Sequence, residues 1–375
     1  MTHRMTPLTL AKLRLAAQLI RPTSTSPTRG PVDVVRWLTA LQSQDLPGAL
    51  WAIGLRSPGI GRSEVVAAFN SGELVRSCPL RGTLHVTAAE DLGWILSLTA
   101  GRMQAAQGTR HKQLEISAAD IDLVRDLALE LLEQLGGRAT REDFFAVCEQ
   151  AGQGTKAQRG YHLLFLLCLE GTLVQGPING ASTGTTQFYV SSKDWIKTPR
   201  MLGGEEALGE LALRYFRSHG PATIKDFQWW AKLTLKDIKL GLDRAQGSLE
   251  SYESDGERYW LAPETAELLG GPVSGARSVL LLPGFDEYVL GYTDRSAALA
   301  PDYAPRIVPG NNGMFKATVV AGGRVVGTWR KAQGAAERER QLADVVLPEL
   351  FEELSPSQHK ALEATARKYA TFLAA

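Results

Sequence analysis

Two glutamines one residue apart are the part of this sequence whose types and spacing could do chemistry. Gln42 and Gln44 lie in the polar run Gln42-Ser43-Gln44-Asp45. An amide carbonyl accepts a hydrogen bond from water and an amide NH2 donates one, so two amides together could hold a water molecule or a ligand. The apolar residues before them recur at the spacing of a buried helix face: Val34, Trp37, Leu38 and Leu41. This spacing predicts a helix that continues to Gln42 and stops before Pro47-Gly48.

A predicted hairpin supplies the other polar candidates in the N-terminal part. Residues 74–86 have the pattern of two strands, with Arg76 and Arg81 on either side of the turn and His85 after it. The two guanidinium groups could position a DNA backbone, and His85 could contact a phosphate or lie beside the site. A solvated hairpin face and a structural histidine are the alternatives.

Other site classes have little support in the sequence. The six histidines are scattered, and no HxxxH, HExxH or CxxC spacing occurs, so we predict no metal site and no cofactor. No glycine-rich run has the strand–turn–helix setting of a phosphate cradle. Three widely spaced cysteines indicate a reducing, cytoplasmic compartment. No apolar run approaches the roughly 20 residues that a membrane-spanning helix needs.

Charge is distributed unevenly along the chain. The net charge of the whole chain is only +1, which does not by itself indicate a nucleic-acid-binding protein. The first 110 residues, however, contain 12 Lys and Arg against 6 Asp and Glu. The N-terminal part is therefore the part that we expect to face an anionic partner, unless the asymmetry arises by chance.

Helices followed by a strand pair occur three times, which predicts an α+β fold with three tandem winged-helix units. We place these units at residues 1–108, 109–200 and 201–268. In the third unit, Asp255-Gly256 is a strong signal for a two-residue hairpin turn. The winged helix elaborates the helix-turn-helix, whose recognition helix enters a DNA groove, although many winged helices bind only protein. Three unrelated α+β segments are the alternative.

The C-terminal region, residues 269–375, changes to strand patterns. Segments 315–320 and 324–329 alternate about Gly322-Gly323, which predicts a hairpin in a small barrel-like sheet, closed by a terminal helix. Asp286 and Glu287 follow a predicted buried strand. They could serve a catalytic site, but an ion pair with Arg295 is the favoured interpretation.

Several stretches together resemble one bacterial family, the winged-helix DNA glycosylases of the AlkZ/YcaQ type. The resemblance covers nearly the whole chain and depends on the order and spacing of five motifs: Leu41-Gln42-Ser43-Gln44-Asp45, Arg81-Gly82-Thr83-Leu84-His85, Leu282-Pro283-Gly284-Phe285-Asp286-Glu287-Tyr288, Asn312-Gly313-Met314-Phe315 and Val326-Gly327-Thr328-Trp329-Arg330. It implies three winged helices in a C-shaped arrangement with a β-rich C-terminal part.

The resemblance also implies an activity. It implies hydrolysis of the N-glycosidic bond of N7-alkylated purines in double-stranded DNA, including bulky adducts and interstrand crosslinks made by DNA-alkylating natural products, in base excision repair or self-resistance. The catalytic motif is Gln–aliphatic–Gln in the AlkZ-like branch and Gln–aliphatic–Asp in the YcaQ-like branch. Gln42 and Gln44 match the former, and Ser43 stands at the aliphatic position. We expect the two glutamines to position water, with Asp45 as a helper or as the cap of the next helix.

Two further expectations complete the prediction. Segment 311–316 is expected to be a hairpin that probes a DNA groove through Asn312 and Lys316, unless it is a plain surface hairpin. We expect a monomer, and three linked winged helices without a dimerisation helix argue against an ordinary dimeric repressor. The competing hypothesis is a DNA-binding regulator or lesion-binding protein without catalytic activity.

Overall fold

The computed structural model describes residues 5–21, 29–179, 186–270, 278–332, 342–343 and 345–375 as a mixed α+β fold with antiparallel sheets. The elements up to residue 113 are α1 (Pro7–Ala17), α2 (Pro31–Leu38), β1 (Leu41–Gln42), α3 (Leu46–Arg56), α4 (Arg62–Asn70), β2 (Leu74–Leu80), β3 (Thr83–Ala88), α5 (Leu92–Ala106) and α6 (Gly108–Gln113). They are followed by α7 (Ala118–Gln134), α8 (Arg141–Gln150), α9 (Arg159–Leu169), β4 (Leu173–Asn179), β5 (Thr186–Ser191) and α10 (Ser192–Trp195).

The remaining elements continue the alternation of helices and strands. Residues 204–266 form α11 (Gly204–His219), α12 (Ile224–Ala231), α13 (Leu235–Ala245), β6 (Glu250–Ser254), β7 (Glu257–Leu261) and α14 (Pro263–Ala266). The C-terminal region contains β8 (Val279–Leu282), α15 (Glu287–Leu290), α16 (Ala304–Ile307), β9 (Thr318–Ala321), β10 (Arg324–Lys331), β11 (Val346–Leu350) and α17 (Pro356–Ala374). Among the described helices, none is both long and apolar enough to cross a membrane.

Helix α2 ends earlier than predicted, and this changes the setting of the glutamines. The helix stops at Leu38, and Thr39 adopts φ 69° and ψ −52° while the Ala40 amide donates to the Leu38 carbonyl at 2.8 Å. These values describe a γ-turn of the rare, strained type. The turn reverses the chain into β1, so Gln42 lies on a strand. The prediction that Gln42 extends the helix was wrong, because the apolar spacing also fits a helix that stops one turn sooner.

The first predicted hairpin is confirmed, and it belongs to a larger sheet. Strands β2 and β3 meet at a turn in which Arg81 and Gly82 both have positive φ, the requirement of a tight hairpin turn. Strand β1 pairs with β3 on one side, and β4 pairs with β2 on the other at Arg76 and Gln175. The resulting order is β1-β3-β2-β4-β5. The first two hairpins therefore share one sheet, which the sequence pattern did not predict.

The third hairpin and the C-terminal sheet also agree with the turn signals. Asp255 and Gly256 have positive φ between β6 and β7, and Gly322-Gly323 joins β9 to β10. The C-terminal strands form an antiparallel sheet in the order β11-β10-β9-β8. In the part of the chain that the structure describes, β8 and β11 are its two edges, so this region is an open sheet and not a closed barrel.

A shared core joins the N-terminal helices to this C-terminal sheet. Trp51 on α3 packs against Tyr369 and Phe372 on α17, with ring centroids 5.0 and 5.2 Å apart. The Trp51 indole donates to the Leu281 carbonyl at 2.8 Å, which fixes β8 against α3. As a result, the segment that follows β8 is held beside β1 and the glutamines.

Candidate active site

The two glutamine side chains are hydrogen-bonded to each other. Gln42 lies on β1 opposite His85 on β3 and is only 7 % exposed, whereas Gln44 lies in the following loop and is exposed. Nε2 of Gln42 lies 2.6 Å from Oε1 of Gln44. The structure therefore brings the predicted pair together, with the Gln42 amide in the interior of the protein and the Gln44 amide at the surface.

Arg81 determines the orientation of both amides. Its guanidinium donates to Oε1 of Gln42 at 3.0 Å. A guanidinium has no acceptor, so the oxygen of Gln42 must face Arg81 and its NH2 must face Gln44. Gln44 must then present its oxygen to Gln42. The exposed NH2 of Gln44 and the remaining lone pair of its oxygen are left for a ligand.

His85 buttresses Arg81 as a neutral imidazole. Its Nδ1 lies 2.7 Å from the Thr83 carbonyl and its Nε2 lies 3.0 Å from the Arg81 guanidinium. Since a carbonyl only accepts and a guanidinium only donates, Nδ1 carries the proton and Nε2 accepts. Complete burial and the charge of Arg81 lower the pKa of His85 to about 3.

Glu287 is the buried counter-charge behind the pair. Its carboxylate accepts from the Gln42 backbone N–H at 3.3 Å and from the Trp230 indole at 3.0 Å. It also lies 3.5 Å from the Arg81 guanidinium and 3.4 Å from Nε2 of His219. Burial alone raises the pKa of Glu287, but the hydrogen bond with His219 and the charge of Arg81 outweigh it and lower the pKa to about 2.

The low pKa of His85 predicts a loss of stability in weak acid. The unfolded chain binds the proton near pH 6.5, whereas the folded chain resists it until about pH 3, so stability falls as the pH decreases through this interval. Between pH 7 and pH 5 we expect a loss of about 2 kcal/mol from this group. Urea unfolding at both pH values measures it. The variant His85→Asn should lose correspondingly less, and an identical pH dependence in both proteins would contradict this assignment.

Ser43 has a structural reason to be polar. Its side chain is buried, and the Arg76 guanidinium donates to the Ser43 carbonyl at 2.6 and 2.9 Å and to its hydroxyl at 3.2 Å. Arg76 is in turn bound by the side-chain oxygens of Gln175 and Gln187 at 2.5 and 3.2 Å. Arg76 thus fixes the backbone between the glutamines, and the serine hydroxyl satisfies part of its donor capacity.

We expect Ser43→Val to cost stability more than activity. The change removes one acceptor from a buried guanidinium and costs about 1–2 kcal/mol, while the backbone carbonyl that holds the loop keeps both of its hydrogen bonds. Thermal unfolding and base-release assays would separate the two effects. A loss of activity larger than about tenfold in a folded variant would show that the hydroxyl itself acts in the reaction.

DNA contact was one interpretation of Arg76, Arg81 and His85, but the structure places all three side chains inside the protein, and His85 lies beside the site. Their donor groups are taken up by the loop and by the first glutamine. Arg76 is buried because β2 lies in the middle of the sheet and is buried along its whole length. These residues support the glutamines instead of forming an outer phosphate-binding face.

Comparison with known proteins identifies the family of the chain. The model of the DNA glycosylase AlkZ-like family matches residues 35–372. The chain belongs to the AlkZ-like DNA glycosylase family. A curated relative, the interstrand DNA cross-link repair glycosylase of Streptomyces sahachiroi, is 27 % identical over 333 residues, 84 % of this chain and 85 % of the relative. The solved structure of the Streptomyces sahachiroi DNA glycosylase AlkZ has a similar fold, with a TM-score of 0.78, 22 % identity and coverage of 100 % of this chain and 98 % of that one.

Asp45 lies at the mouth of the site of this AlkZ-like chain. It occupies the N-cap position of α3 but makes no capping hydrogen bond. A Cβ on Gly48 would lie 2.5 Å from Oδ2 of Asp45, so the glycine leaves room for the carboxylate. Partial burial raises the pKa of Asp45, and the nearby Gly48 backbone N–H partly offsets that shift. The carboxylate thus remains available to the site.

The two adjacent carboxylates, Asp286 and Glu287, have different partners and different roles. Asp286 forms a two-pronged ion pair with Arg56, with both N–O distances 2.9 Å. The predicted pairing with Arg295 was wrong, since the Arg295 Nε donates to the Val289 carbonyl at 2.9 Å instead. A glycine is required at position 284, ahead of the two carboxylates, because a Cβ there would lie 2.8 Å from the Phe315 carbonyl oxygen. Asp286 thereby anchors the segment that presents Glu287.

The expected groove-probing segment has a different local structure. Residues Pro309–Asn311 form a 3-10 turn, and 312–317 continue without strand pairing, so a hairpin is not formed there. Asn312 and Lys316 are nonetheless exposed. The glycine and proline pattern that predicted a turn was correct, but the flanking residues do not pair.

Three residues of the site were missed or undervalued from the sequence. Glu287 was assigned a structural ion pair, and neither His219 nor Trp230 had a motif that indicated a role beside the glutamines.

Among the described residues, no group of three or more His, Cys, Asp or Glu side chains is arranged to hold a metal ion.

Proposed function

We propose that this protein is a monofunctional DNA glycosylase that hydrolyses the N-glycosidic bond of N7-alkylated purines in double-stranded DNA. The observation that supports this most is the ordered chain of hydrogen bonds from Arg81 through Gln42 to Gln44, which ends in an exposed amide. Membership of the family favours an enzyme over a regulator without catalytic activity.

The chemistry of the substrate explains why amides suffice. Hydrolysis of a glycosidic bond passes through an oxocarbenium-like state and usually employs two carboxylates. An N7-alkylated purine already carries a positive charge and leaves without protonation. The protein must then mainly position a water molecule. The free lone pair on Oε1 of Gln44 accepts a hydrogen bond from the water, and the Gln44 NH2 donates one to a sugar or phosphate oxygen.

The buried charges beside the pair are balanced in a way that suits a developing cation. An isolated guanidinium near the sugar would oppose the positive charge of the transition state. The Glu287 carboxylate, 3.5 Å from Arg81, offsets that charge. Asp45, exposed next to Gln44, adds negative charge on the solvent side and is the candidate helper for the water.

The exposure of the second glutamine bears on the size of the lesion. Gln44 is exposed at the surface of its loop, so a bulky group on the purine need not enter an enclosed pocket. The similar protein from Streptomyces sahachiroi is named an interstrand cross-link repair glycosylase. We extend the proposed substrates to bulky N7 adducts and crosslinks, with Asn312 and Lys316 as candidate DNA contacts.

The experiment is base release from defined duplexes. Wild-type protein is incubated with matched duplexes that contain one N7-methylguanine, one interstrand N7 crosslink or no lesion, and abasic sites are then cleaved by mild alkali. We expect cleavage at the N7-methylguanine and unhooking of the crosslink on a denaturing gel. Cleavage of the damaged duplexes no greater than that of the same duplexes without protein would reject the proposed activity.

A further inference from the structure

Two adjacent tryptophans on α12 have opposite environments. Trp230 is fully buried and its indole donates to Glu287. Trp229 is only partly buried, and no role for it follows from the proposed hydrolysis. One side of Trp229 packs against the same apolar cluster as Trp230, but part of its surface remains exposed.

Three cationic side chains surround the Trp229 ring. The guanidinium carbons of Arg81 and Arg295 lie 5.2 and 5.5 Å from its centre, and Nζ of Lys232 lies 5.3 Å away. Lys232 is exposed and Arg295 is partly so. Aromatic rings interleaved with cations bind single-stranded nucleotides, because the base stacks on the ring and the phosphate meets the charge.

Arg81 connects this aromatic cluster to the glutamines. The same guanidinium that lies near the Trp229 ring donates to Oε1 of Gln42 at 3.0 Å. Arg81 and Lys232 also line a cavity of about 290 Å³, whose wall includes Arg102, Met103 and Gln107. This cavity adjoins the Trp229 cluster through Arg81 and Lys232, and its wall offers both apolar and hydrogen-bonding groups.

We propose that Trp229 is the stacking residue of a nucleobase-binding site beside the glutamine pair. In this site an unpaired base at or next to the lesion lies against the Trp229 ring, and the adjoining phosphate lies near Lys232 and Arg295. This inference rests on the proposed function, since it assigns to the glycosylase site the residue that holds a base outside the DNA stack. Such a base is unpaired, and fully paired DNA gains little from Trp229.

Equilibrium binding to two duplexes tests the site. One duplex is fully paired and the other contains a single unpaired purine at its centre. We compare wild type with Trp229→Phe and Trp229→Leu by fluorescence anisotropy, because both variants keep an apolar side chain but only phenylalanine can stack. Trp229→Leu should bind the unpaired-purine duplex about tenfold more weakly, whereas Trp229→Phe should stay within about threefold of wild type. Both should bind the paired duplex within about twofold of wild type.

A matched control is available elsewhere on the surface. Tyr161 is 53 % exposed and has the Arg141 guanidinium 5.3 Å from its ring centre, so it is also an aromatic residue beside an arginine. Tyr161→Leu should leave the preference for the unpaired purine unchanged. Equal binding of wild type and Trp229→Leu to the unpaired-purine duplex, or an equal loss on both duplexes, would overturn the inference. Absence of base release by wild type would reject the proposed function and leave this binding difference intact.

Discussion

Replacing Gln44 with alanine is expected to reduce release of N7-methylguanine at least about 100-fold. The alanine side chain has neither the oxygen that we assign to the water nor the NH2 that we assign to the sugar or phosphate. Because Gln44 is exposed and its own partner in the fold is the Gln42 amide, the change should leave the stability of the protein nearly unaltered. Single-turnover base release and thermal unfolding would measure the two effects separately.

Two comparison variants sharpen this prediction. Gln44→Asp keeps an acceptor that can bond to Nε2 of Gln42 and to water, so it should retain measurable activity. Gln134→Ala removes an exposed glutamine of α7, whose side chain bonds to Glu130, and should behave as wild type. Complete loss of activity in a folded Gln44→Asp variant would argue against a role as hydrogen-bond acceptor for water.

Replacing Glu287 with alanine is expected to be the most destabilising change at the site, by about 3–5 kcal/mol. It leaves the Arg81 charge and the Trp230 indole buried without their partner. Glu287→Gln should cost less, about 1–3 kcal/mol, because the amide keeps one oxygen but turns an NH2 toward groups that already donate. Both variants should also lose activity, since Arg81 would no longer hold Gln42 in one orientation.

The pH dependence gives an independent measure of the same carboxylate. The pKa of Glu287 is about 2 in the folded protein, below the ordinary value of 4.5, so its stabilising effect is present above pH 4.5 and is lost as the pH falls toward 2. The expected loss across this interval is about 3 kcal/mol, and it should be absent in Glu287→Gln.

A surface ion pair provides the control for the Glu287 variants. Glu264 pairs with Arg217 at 2.9 Å where both side chains are about half exposed, so Glu264→Gln should cost less than about 1 kcal/mol. Thermal midpoints of the three variants, measured together at pH 7, would rank these effects. A Glu287→Ala midpoint no lower than that of Glu264→Gln would show that the buried carboxylate does not support the site.

Local features of the fold could be predicted from the sequence because they depend on neighbouring residues. Turn residues marked the hairpins at Gly256 and Gly323, whereas the first hairpin was expected to turn between Arg76 and Arg81 and turns at Arg81-Gly82 instead. The glutamine pair was recognised because two amides at this spacing are chemically distinctive. The γ-turn at Thr39 had no such signal, since threonine rarely adopts a positive φ and its presence does not predict such a turn.

Long-range contacts could not be predicted, and these complete the site. Glu287 lies 245 residues from Gln42 along the chain, so no local pattern connects them. Likewise, the pairing of β2 with β4 joins two hairpins that are distant along the chain, and this pairing helps to bury Arg76. A buried arginine and an exposed arginine cannot be told apart in the sequence. Arg76 and Arg81 were therefore interpreted as DNA contacts, although they lie inside the protein and support the site.

The central claim, that Gln42 and Gln44 together make this protein a hydrolase of damaged DNA, is tested most directly by one measurement. Free N7-methylguanine is quantified by mass spectrometry after wild type and Gln42→Ala/Gln44→Ala act on the same duplex at saturating protein. Saturation with each protein is established by anisotropy. We predict that wild type releases one base per lesion, whereas the double variant releases it only at the rate of the DNA alone. Equal release by two folded, DNA-bound proteins would contradict the claim.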